Sequence, residues 1–105
     1  MGLDLLWRAN DGTVRDAAYD ESSTISDVIN RLREDLSKRH LLVSTIDPNG
    51  DTRFMTGQAP QLLRELEQIR QDTPDPDRRI SIGRVISILR AVEGTSDEWL
   101  EFLGD

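Results

Sequence analysis

Within IDPNGDTRF, residues 46–54, Asp47, Asn49 and Asp51 alternate in a D-x-N-x-D spacing that offers hard oxygen donors to a single cation. A calcium-binding loop begins this way. The match then fails twice: the sixth position, where a sharp turn needs Gly, is Thr52, and the twelfth, where a bidentate Glu closes the shell, is Gln58. The flanks also read as strands, not helices. Asp, Asn and Gly in this order favour a tight bend whose side chains bond their own backbone. No metal site is assigned, and Asp47, Asn49 and Asp51 become candidate partner-binding residues at the tip of a bend.

His40 is the sole histidine, so any acid–base scheme that needs an imidazole must use it. Its place at a helix-to-strand junction suits a capping or interface role better than catalysis. The carboxylate pairs Asp20/Glu21, Glu34/Asp35 and Asp97/Glu98 lie in no segment that reads as an apolar pocket wall able to raise a pKa. Neither GxxxxGK[ST] nor GxGxxG occurs, which leaves nucleotide hydrolysis without visible apparatus. The absence of cysteine excludes disulfides, thiolate zinc sites and cysteine nucleophiles. No catalytic residue and no cofactor is assigned, and the protein is expected not to be an enzyme.

With 20 acids against 13 bases the formal net charge is −7, which disfavours nucleic acid and anionic membrane surfaces as ligands. Acidity instead suits a basic protein partner reached by electrostatic steering, as well as plain solubility. No run approaches the roughly 18–20 apolar residues that span a bilayer. MGLDLLWRAND lacks the basic region of a leader, so a cytoplasmic location is expected. From Glu93 to Asp105 there are five acids and no base, interleaved with Trp99 and Phe102. Asp97, Glu98, Trp99 and Glu101 are therefore candidate partner-binding residues, an acidic rim around aromatic anchors. The plainer reading is that Trp99 and Phe102 complete the core while the acids face water.

These residues must be positioned by a small number of elements in one domain, residues 1–105. LDLLWRA and VRDAAY flank Asn10-Asp11-Gly12-Thr13, and Asp-Gly predicts a hairpin closed by a tight primed turn. Ile25, Val28, Ile29, Leu32 and Leu36 share one face of a helix over about residues 25–38, with Thr24 and Asp27 as a capping pair and Glu34/Lys38 at four-residue spacing. HLLVSTI, residues 40–46, reads as a buried strand that returns through TRFM in a second hairpin. Pro60 opens a helix with Leu62, Leu63, Leu66 and Ile69 in line. After the exposed loop DTPDPDR, Ile82, Val85, Ile86, Leu89 and Val92 form a third helix, capped by Ser81 and ended by Gly94. A short strand or packed tail closes the chain. The expected fold is a two-layer α+β domain, β-β-α-β-β-α-α-β, with an antiparallel sheet covered on one face by three helices.

IDPNGDTRFMTGQAPQLLRELEQI, followed about thirty residues later by WLEFLGD, resembles a group of small, mostly uncharacterised bacterial proteins. The shared pattern is ID-P-x-GDT-x-F, a Gln a few residues on, a Leu-rich helix carrying E-L-E, and an F-x-GD-like ending. It covers the C-terminal two-thirds of the chain. The resemblance implies an immunity-type role, in which a small acidic protein binds and neutralises a toxin, and singles out Asp47, Asp51, Thr52, Phe54 and Gln58. Asn49 stands where an aromatic residue is expected.

The leading expectation is therefore a non-enzymatic protein-binding module, most concretely an inhibitor that masks a basic toxin or nuclease. A homo-oligomeric structural or assembly protein is the alternative. A small-ligand or metal-dependent enzyme using Asp47, Asp51 and His40 ranks third.

Overall fold

Alternation along the last strand sets the sheet: Leu100 and Phe102 are buried while Trp99, Glu101 and Leu103 between them stay partly exposed. The computed structural model describes residues 2–20, 23–35 and 42–104, with backbone only at 33 and 35. Its elements are β1 (Asp4–Arg8), β2 (Val14–Ala18), α1 (Thr24–Asp35), β3 (Asp51–Met55), α2 (Ala59–Gln71), α3 (Pro76–Ala91) and β4 (Trp99–Leu103). The four strands form an antiparallel sheet in the order β2-β1-β4-β3. The expected α+β two-layer architecture is present, with one strand fewer than expected.

Register puts Leu5, Leu100, Phe102 and Phe54 on one face, where they join the apolar stripes of all three helices in a single core. Phe54 and Phe102 meet edge to face, with centroids 5.9 Å apart and planes at 88°, an arrangement that adds roughly 0.5–1.5 kcal/mol beyond area burial. Leu62, Leu66 and Ile69 on α2 and Ile25, Val28 and Ile29 on α1 bury the positions that their periodicity marks. α3 also buries Ile88 beside its expected stripe, because it packs against α1, α2 and β2 at once.

Three local expectations are corrected. The β1–β2 turn is not primed: Asn10 and Asp11 keep negative φ and only Gly12 is left-handed, at +90°. Gly12 N–H donates to Ala9 O at 2.9 Å and Ala9 N–H to Thr13 O at 2.8 Å, a three-residue loop closed by a glycine bulge. The second hairpin does not form. Residues 40 and 41 of the expected strand lie outside the described residues; within the rest of it Val43–Thr45 make one 3-10 turn, and β3 pairs with β4.

The reason for the second correction is local. Val43 and Ile46 are both buried, three residues apart, which is the spacing of a turn and would split across the two faces of a strand. Glu65 on α2 accepts the N–H groups of Leu42 (3.1 Å) and Val43 (3.0 Å), so this backbone is satisfied without a sheet neighbour. The third correction concerns α3, which starts at Pro76, not after Ser81. Pro76 occupies the first helical turn and the Asp75 carboxylate caps it by accepting Asp77 N–H at 2.9 Å. The helix ends before Gly94 (φ +82°), as expected.

Candidate functional site

Because β1 and β4 alternate, every second residue points away from the helices, and these residues build a second face in three rows across β1, β4 and β3. Asp4, Leu103 and Asp51 form the first row, Leu6, Glu101 and Arg53 the second, and Arg8, Trp99 and Met55 the third. Leu6 is buried within this face, while Met55 is 53% exposed at its edge.

Glu101 is the organising group. Its Oε1 accepts the indole N–H of Trp99 at 2.7 Å and Arg53 Nη2–H at 3.3 Å, and Arg8 Nε lies 3.2 Å away. Arg8 Nε is not aligned for a hydrogen bond, so that contact is Coulombic, and Arg8 is held by its own Nη1 bond to Gly12 O at 2.9 Å. The Arg53 guanidinium stacks on the Trp99 ring, 4.8 Å from its centroid. One carboxylate between two guanidiniums leaves the centre of the face with a local charge of +1 and fixes Trp99 in place.

The residues expected to meet a partner fall into four groups. Trp99, Glu101 and Asp51 lie on the open face. Asp47 and Asn49 are exposed on the bend that leads into β3, beside the Asp51 end. Asp97 is exposed just before β4, in the left-handed conformation at φ 60°. Glu98 goes elsewhere: it is buried on the helix side, where Oε1 accepts Trp7 Nε1–H at 2.9 Å and Oε2 takes Arg15 Nε at 2.6 Å. Glu98 and Glu101 are thus neutralised by arginines, and the acidic rim that faces water is Asp47, Asp51 and Asp97. Phe102 belongs to the core, whereas Trp99 does not.

The bend at 46–54 is held by its own groups. Asp47 Oδ1 accepts Asn49 N–H and Thr52 Oγ1 accepts Asp47 N–H, both at 2.9 Å. Gln58 Oε1 accepts Met55 N–H at 3.0 Å, and Phe54 fills the core. Gly104 N–H donates to Gly50 O at 2.8 Å, so Gly104 docks on the bend. Four of the five positions that the resemblance singles out therefore have structural work here, and the fifth, Asp51, is exposed on the open face. Among the described residues, no group of three or more His, Asp or Glu lies close enough to share one metal ion. His40, Leu36, Lys38, Glu21 and Asp105 lie outside the described residues.

Sequence reasoning missed Arg8, Arg53 and Met55. The alternation of TRFM around Phe54 signals that Arg53 and Met55 point outward, but their neighbour Trp99 lies more than forty residues away and only the long-range β3–β4 pairing joins them.

No protein-family model, curated protein or solved structure matches the chain. No described helix is long and apolar enough to cross a membrane.

Proposed function

We propose that the protein is a non-enzymatic protein-binding module that docks its partner on the open face of the sheet, with Trp99 as anchor. The observation that carries this reading is the Trp99–Glu101–Arg53 cluster beside exposed Met55 on a face that the helices leave uncovered. Trp, Arg and Met are the side chains enriched at interface centres, and an anchor whose rotamer is already fixed loses less entropy on binding. Asp47, Asp51 and Asp97 form the acidic rim, which suits a basic partner and an inhibitor that masks a toxin or nuclease.

The test is capture with tagged wild-type protein and the Trp99→Ala and Met55→Glu variants from host lysate, at low and high salt. The reading expects one basic protein near stoichiometry, shed as salt rises and lost with either variant. Equal recovery by all three proteins would refute docking on this face.

A second reading, self-assembly, is favoured by one feature of the same face. A two-fold axis across the strands lays Asp4 over Arg8, Leu103 over Trp99 and Asp51 over Met55 of a second copy, which pairs Asp4 of each copy with Arg8 of the other. Light scattering across a concentration series decides it, since a strictly monomeric protein leaves nothing for this reading to explain.

A further inference from the structure

On the other side of the molecule, α2 and α3 enclose a groove of about 330 Å³ whose lining includes Glu67, Arg70, Arg79, Gly83, Ser87 and Arg90. Three guanidiniums against one carboxylate give it a local charge of +2 in a chain whose net charge is −7. Arginine pairing divides the fold. Arg8, Arg15, Arg31, Arg53, Arg78 and Arg90 each have an acidic partner. Among the arginines whose side chains are described, those without one are Arg64, Arg70, Arg79 and Arg84, all on α2 and α3. Two of these four, Arg70 and Arg79, line the same concave site.

The groove is also preorganised. Arg70 Nε–H donates to Arg79 O at 3.1 Å, which fixes the plane of the Arg70 guanidinium and leaves its two Nη groups available. That guanidinium passes over Gly83, in ordinary van der Waals reach of the position where a side chain would begin. Arg90 closes one side through its 3.1 Å contact with Glu67. A planar fork held by a backbone carbonyl is suited to paired oxygen acceptors, and charge-assisted hydrogen bonds are stronger than neutral ones.

We propose that this groove is an oxyanion site, binding the doubly charged phosphate or dicarboxylate group of a ligand between Arg70 and Arg79. It stands apart from the open sheet face and does not depend on partner docking there.

The experiment is an amide and arginine side-chain NMR titration of the full chain with inorganic phosphate and, separately, succinate, against sodium chloride at matched ionic strength. The expected result is saturable movement of the Gly83 and Ser87 amides and the Arg70 Nε–H signal with at least one of the two anions and not with chloride. Saturation by phosphate alone assigns a phosphoryl ligand, and saturation by succinate assigns a carboxylate-bearing one. Arg79→Gln should weaken binding roughly tenfold, the equivalent of one charge-assisted hydrogen bond, with the remaining amide spectrum unchanged. Trp99→Ala should bind as wild type. Equal movement with chloride, or an Arg79→Gln variant that titrates like wild type, would overturn the proposal.

Discussion

Trp99 and Glu101 stand two residues apart on the same face of β4, and the indole N–H donates to the carboxylate at 2.7 Å. The same oxygen faces Arg8 and Arg53, so one carboxylate both orients the aromatic ring and offsets two guanidiniums. The face is organised before any partner arrives.

Glu101→Gln keeps an acceptor for the indole but leaves Arg8 and Arg53 facing each other without an anion. Partial exposure of both arginines screens the effect, so a loss of about 1 kcal/mol is expected. Urea denaturation followed by far-ultraviolet circular dichroism measures it. The gap from wild type should narrow in concentrated salt; a variant as stable as wild type at low salt would contradict the pairing.

Glu65→Gln weakens the acceptor that holds the N–H groups of Leu42 and Val43. Glu65 is buried, and an expected cost of about 1–3 kcal/mol follows from under-satisfied buried groups. Hydrogen exchange gives the sharper readout, because protection should fall at Leu42 and Val43 more than at the core strands. Uniform loss of protection would show a global effect instead.

Gly104→Ala tests the docking of the chain end on the bend. An added Cβ would stand 2.3 Å from Pro48 O and 3.0 Å from Gly50 O, both backbone atoms, so one segment must move. The expected cost is about 1–3 kcal/mol, by analogy with overpacking. Thermal unfolding reads it, and an unchanged midpoint would mean that residues 46–54 do not need Gly104.

Asp11 supplies a pH test. Hydrogen bonds from the Thr13 hydroxyl, and then from the Thr13 N–H, hold its carboxyl below the ordinary aspartate value. A folded pKa below the unfolded value, about 3.9, means that the unfolded state binds the proton more tightly. The contribution is therefore present above the unfolded pKa and is lost as pH falls through the folded one. An NMR titration of the Asp11 carboxyl should show the depressed value, and Thr13→Ala should return it towards the unfolded one.

The pattern of inward residues was readable wherever burial follows one local period. Leu5, Leu100 and Phe102 alternate, and Leu62, Leu66 and Ile69 recur at helical spacing, so both layers were visible. HLLVSTI misled because a short branched run fits a strand or a turn equally, and the deciding contact is the distant carboxylate of Glu65. Pro76 after Asp75 carried a legible start signal for α3, which treating DTPDPDR as an exposed loop passes over. The open face was legible only in part: Trp99 and Glu101 announce themselves in sequence, whereas Arg8, Arg53 and Met55 join them through strand pairings that no local pattern encodes. Likewise Glu98 reads as a solvated acid until Trp7 and Arg15 meet it across the fold.

The most direct measurement is the calorimetric Kd of the captured partner for wild type, Trp99→Ala and Met55→Glu, with each variant first shown to be folded. A central aromatic anchor predicts a loss of about 2 kcal/mol or more for Trp99→Ala, roughly thirtyfold in Kd, and a clear loss for Met55→Glu. Unchanged affinity in both variants would contradict docking on the open sheet face.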